Sequence, residues 1–123
     1  MKTYRDLIAE PGARQDDSDA LFEMANLVGK RTGLPFVVWI SPRGNARHDV
    51  RVKVSRGPRA VTSEMASVAL RPDVHVVEGE LGSSDLALLR KWVELNQDVL
   101  VRYWDGDIDS TEAAIHAIRP IIY

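Results

Sequence analysis

The chain has 123 residues, no cysteine and a formal net charge of −2. That length suits one domain around one core, and the missing thiols exclude disulfides, thiolate metal sites and cysteine nucleophiles together. Hydrophobic residues at 45% and charged residues at 28% exclude wholesale disorder, and no apolar run approaches the length of a membrane span.

Met1-Lys2-Thr3-Tyr4-Arg5-Asp6 lacks the apolar core of a secretory leader, so a cytoplasmic setting is expected. Thr3 to Ala9 reads as a short helix, which Pro11-Gly12 breaks. Asp17 or Ser18 is a fit N-cap for a second helix, in which Leu21, Met24, Ala25 and Val28 recur at helical spacing and Phe22 and Leu27 widen the stripe. Gly33 would close it, after Lys30 and Arg31 in the last turn.

Leu34 to Ser41 is rich in Val, Ile, Phe and Trp and predicts a buried strand. After the turn Pro42-Arg43-Gly44-Asn45, residues His48 to Ser55 alternate. Val50, Val52 and Val54 mark one face, and Asp49, Arg51 and Lys53 the other, as in an antiparallel strand with one dry side. Arg56 to Arg59 is a loop. Met65 to Leu70 suits helix or strand by propensity, and the hairpin spacing of Arg71-Pro72-Asp73 before Val74 to Val77 decides for two strands.

Ser83 or Ser84 is expected to cap the longest helix, with Asp85 in its first turn. Its stripe is Leu86, Leu89, Val93, Leu100 and Trp104, widened by Trp92 and Val99. Asn96-Gln97-Asp98 interrupts the stripe, and a bend is expected there. Gly106 ends the helix, and Ser110-Thr111-Glu112 opens a last short one that Pro120 stops. The order predicts an α+β fold, an antiparallel β-meander of about four strands with helices packed on one face. It would be a single domain over 1–123, with a helical extension at 1–33, a core at 34–107 and a C-terminal helix and tail at 108–123.

Between Pro42 and Ala60 six cations stand against the single acid Asp49, so the mild net charge hides a basic segment on an acidic remainder. Arg43, Arg47, His48, Arg51, Lys53, Arg56 and Arg59 form the candidate binding hairpin. A row of cations on a wet sheet face suits an acidic protein partner, and it could also track phosphates. The ordinary alternative is an edge strand whose cations deter aggregation.

Other constellations are weaker. Asp105-Gly106-Asp107-Ile108-Asp109 opens like a calcium loop, but Ser110 stands where that loop needs Gly and His116 where it needs Glu. His48 and Asp49 are adjacent on one strand, so their side chains diverge and cannot form a dyad. No nucleophile elbow, phosphate loop, dinucleotide fingerprint or paired-histidine zinc motif is present. No catalytic residue, metal ligand or cofactor is assigned.

Trp39, the strand begun by His48, Glu78-Gly79-Glu80-Leu81, Trp92-Val93-Glu94-Leu95-Asn96 and Trp104 together resemble the small bacterial domain-of-unknown-function family numbered 4160. The likeness runs from Leu34 to about Asp107. Val50 stands where that family has a second histidine, which removes any site built on a His-x-His pair. Such genes often occur in pairs that look like toxin–antitoxin modules. The resemblance therefore implies a small bacterial, non-enzymatic binding or regulatory module, an accessory component of such a pair. Two rivals are a direct nucleic-acid binder and a hydrolase-like enzyme joining His48 to a carboxylate, Asp109 or Glu112.

Overall fold

The computed structural model describes residues 24–57 and 64–122. Five strands form one sheet: β1 (Ala25–Leu27), β2 (Val37–Ile40), β3 (Arg51–Ser55), β4 (Ala66–Ala69) and β5 (His75–Glu78). A short helix, α1 (Gly29–Thr32), lies between β1 and β2, and α2 (Ser83–Asp105) and α3 (Thr111–Ala117) follow the sheet. Strand order equals chain order and every pairing is antiparallel, so the sheet is a meander and the fold is α+β.

Register follows from the valines of β3. Val52 lies opposite Val68 and Val54 opposite Ala66, and Val54 also faces Val38 of β2. Val50, Val52 and Val54 are all buried, in one cluster with Leu89, Trp92, Val93 and Leu100 of α2. The period-two pattern therefore seats β3 against the long helix, as expected. Side chains buried this fully contribute about 1.5–3 kcal/mol each. The opposite face carries a second, smaller cluster of Val37, Trp39 and Met65, with Met24 packed against it. There Trp39 Nε1 donates to Ser55 Oγ at 2.8 Å, and Ser55 Oγ donates to the Gly57 carbonyl at 2.6 Å.

Four local expectations need correction. The helix predicted to reach Gly33 is a strand at Ala25–Leu27, where β1 pairs with β2 and Leu27 is fully buried. Pairing with a neighbouring strand outweighs a weak helical preference. Met24 and Leu27 accordingly pack on opposite faces of the sheet rather than sharing a stripe. Only the end of the prediction stands: Gly33 caps α1 in the left-handed region at φ 76°, with Lys30 and Arg31 in the last turn. The expected helix at Thr3–Ala9 and the cap at Asp17 or Ser18 lie outside the described residues.

The second correction concerns the start of α2. Its N-cap is Gly82 and no serine side chain caps it, because the backbone enters the helix one residue early and Leu86 N–H already bonds to the Gly82 carbonyl. The turn before it explains the Glu78-Gly79-Glu80-Leu81 signature. Gly79 has φ 78°, and a Cβ there would meet the Met65 carbonyl oxygen at 2.7 Å. Leu81 then packs on the core while Glu78 and Glu80 stay exposed.

The third correction is the strand expected from His48, which begins only at Arg51 as β3. The fourth is the bend. α2 runs unbroken from Ser83 to Asp105, and Asn96 is one of its fully buried residues. Its amide reads a stretch of backbone. Nδ2 donates to the Arg119 carbonyl at 2.9 Å and to the Trp92 carbonyl at 2.9 Å, and Oδ1 accepts from Arg119 N–H at 2.7 Å. Arg119 in turn forks onto Asp98, and Ile121 N–H bonds to the Thr32 carbonyl at 2.8 Å. The interruption in the stripe is thus a clamp on the C-terminal segment. Asn96→Ala should strip partners from two backbone groups of Arg119 and destabilise the protein by about 2–4 kcal/mol. Urea unfolding should show that loss, and circular dichroism should show the helices of the folded state intact.

Candidate functional site

β3 is the middle strand of five, so its cations are not there to blunt a sheet edge. The edges are β1 and β5, and β5 carries a bulge: Val68 faces Val76 while Ser67 faces Glu78, leaving Val77 as an extra residue. A bulge of this kind disturbs the free ladder of an edge strand and so discourages pairing with another chain.

The fold distributes the predicted hairpin residues over two sides. Arg51 and Lys53 are half-buried on the face away from α2, opposite Ala69 and Ser67. Arg43 and Arg47 are exposed in the β2–β3 connection, where Arg43 N–H bonds to the Trp104 carbonyl at 3.1 Å. Two members go to the helix side. Arg56 sits 3.5 Å from Asp85 in the first turn of α2, at a small cleft of about 50 Å³ lined in part by Phe36, Glu80 and Leu81. His48 stacks on Trp104, ring centres 5.5 Å apart. Arg59 lies outside the described residues.

His48 and Asp49 diverge as alternation requires. The imidazole bonds through Nδ1 to the Asp49 carbonyl at 2.7 Å, while the Asp49 carboxylate reaches the β4–β5 turn. There Arg71 forks onto it, Nε to Oδ2 at 2.8 Å and Nη2 to Oδ1 at 2.6 Å. In the sequence Arg71 stands out only as part of a turn. Its signal is the hairpin register: extending the Arg51–Ala69 pairing by two residues on each strand places Asp49 opposite Arg71. The guanidinium holds the Asp49 carboxyl down at about 2, chiefly through the side-chain hydrogen bonds, with help from the Val50 backbone and from the charge of Arg43.

The remaining motifs resolve into local structure. Gly106 has φ 87° and caps α2, its N–H bonding to the Tyr103 carbonyl, and Ile108 N–H takes the Arg102 carbonyl. The acidic loop is therefore the C-terminal cap of a helix leading into α3, whose own N-cap Ser110 accepts from Ala113 N–H. Among the described residues no group of three or more His, Asp or Glu is placed to hold a metal ion. Glu112 lies 3.8 Å from His116, one turn along α3. Among the described residues no helix is long and apolar enough to cross a membrane.

Residues 60–105 match the model of a family described as Domain of unknown function (DUF4160). The matched span takes in β4, β5 and α2, the C-terminal part of the expected likeness. It holds Arg71, Asn96 and Trp104, whereas the cations of the β2–β3 connection and of β3 precede it. No curated protein and no solved structure matches the chain.

The Asp49–Arg71 pair makes a pH prediction. A carboxyl held below its ordinary value contributes stability above that value and loses it as pH falls through the folded one. Here the window runs from the ordinary 3.8 down to about 2. The side chains are 53% and 41% exposed, so the contribution is under about 1 kcal/mol. A carboxyl carbon titration followed by NMR should place Asp49 near 2 in the native protein and return it toward 3.8 in Arg71→Ala.

Proposed function

We propose that this chain is a non-enzymatic binding module whose contact surface is the cationic face formed by β3 and the β2–β3 connection, and that its partner is an acidic protein. The observation that supports this is the state of the charges there. Arg43, Arg47, Arg51 and Lys53 form no ion pair with another described residue, while the acid among them, Asp49, is already occupied by Arg71. Among the described residues these four cations are thus left without a carboxylate in ion-pair contact, on a chain whose net charge is negative. Complementary charge of this kind steers encounter and suppresses wrong partners. A bacterial, cytoplasmic role as the accessory half of a toxin–antitoxin-like pair is consistent with the family likeness.

Two rival readings differ in what they need. A nucleic-acid binder needs the same cations to contact phosphates, which gives a steep loss of affinity with salt. An enzyme needs His48 to meet a carboxylate. The carboxylates this reading calls on are Asp109 and Glu112; the His48 ring is stacked on Trp104 and bonded to a backbone carbonyl, and Glu112 lies beside His116.

The triple change Arg47→Glu, Arg51→Glu and Lys53→Glu tests the reading. It should abolish capture of the partner from nuclease-treated lysate and abolish binding to poly-L-glutamate. Far-ultraviolet circular dichroism should stay as in the native protein, because none of the three side chains enters the core. Unchanged capture and unchanged polyglutamate binding by a folded triple variant would refute the proposal.

A further inference from the structure

Carrying the alternation of β3 back through the buried Val50 places Asp49 on the same side as Arg51 and Lys53, with about 7 Å from each residue to the next. The column is thus two cations with a carboxylate beside them. An aspartate next to Arg51 on the same face is within easy reach of its guanidinium, and pairing of the two would quench the cation that the face presents. The observed partner is different: Arg71 approaches from the turn after β4 and takes both carboxylate oxygens. The two oxygens receive separate donors of one planar fork, which fixes the carboxylate's orientation toward Arg71 and offsets its charge beside Arg51.

We infer that Arg71 is a positioning residue of the cationic face, holding Asp49 in check so that Arg51 stays free for carboxylates of an acidic partner. The inference rests on the binding reading above and names what regulates that surface. A pair this exposed adds little to stability, so its main consequence is for the charge that a partner meets. Arg71 need not touch the partner to matter. Removing it takes away one positive charge and also releases a negative one beside Arg51.

A cycle of four proteins separates this role from that of a plain staple between the segments that flank β3 and β4: the native chain, Asp49→Asn, Arg71→Ala and the double variant. The probe is poly-L-glutamate at low salt, with an oligothymidine of matched charge as a second arm. A single charge at this spacing in water changes affinity about threefold. Asp49→Asn should therefore bind polyglutamate about threefold more tightly than the native chain, and Arg71→Ala at least threefold more weakly. The double variant should return to the native value, and half-molar salt should collapse all the differences.

A staple predicts another pattern, in which both single variants weaken binding and the double variant does not recover. That result overturns the inference, as does equal binding by all four proteins while the Arg47, Arg51, Lys53 triple variant loses it. If the triple variant also binds as the native chain does, the cationic face itself is refuted. Binding of oligothymidine without polyglutamate overturns the carboxylate partner in favour of phosphates. Melting curves of the four proteins serve as the control, since the expected gain by Asp49→Asn cannot arise from unfolding.

Discussion

Burial of one valine row decides most of this structure. Val50, Val52 and Val54 lie beneath α2, and because side chains on a strand alternate, that single fact sends the residues between them to the other side. Two charged residues of β3 then stand on the face away from the long helix. A slip of one residue would bury Arg51 and Lys53 in an apolar core, at a cost of several kcal/mol for each charge. Register and surface charge are thus two results of one constraint.

The same constraint separates the chemistry of neighbours. His48 turns to the helix side and stacks on Trp104, whereas the Asp49 carboxylate reaches Arg71 across the hairpin. A basic run that looks continuous in the chain becomes, in space, a cationic face plus two side chains that serve packing and an ion pair near α2. Arg56 shows the second case, drawn to Asp85 at the start of the helix. Arg51 and Lys53 on the far side, with Arg43 and Arg47 in the exposed connection, are left without an ion pair among the described residues.

Much of the fold was legible because its signals are local. Alternation announced β3, the Arg71-Pro72-Asp73 spacing announced the β4–β5 hairpin, and Gly33 and Gly106 marked helix ends that need positive φ. The failures were tertiary in origin. Ala25–Leu27 carries a plausible helical stripe, and only the presence of β2 alongside makes it a strand. Asn96 looked like a defect in an apolar stripe because its partner, the backbone of Arg119, is 23 residues away. Arg71 was missed as a site residue for the same reason: its meaning depends on what β3 places opposite it. Within the segment that matches DUF4160, Asn96 and Gly79 sit in such contacts.

The central claim is the alternation of β3, and the absence of cysteine allows a direct measurement. Single-cysteine variants at positions 49 to 54 can be labelled with a maleimide under native conditions. Reaction should be fast for Asp49→Cys, Arg51→Cys and Lys53→Cys and at least tenfold slower for Val50→Cys, Val52→Cys and Val54→Cys, whose thiols would lie in the core. Equal labelling at all six positions, or protection on the charged set, would contradict the account.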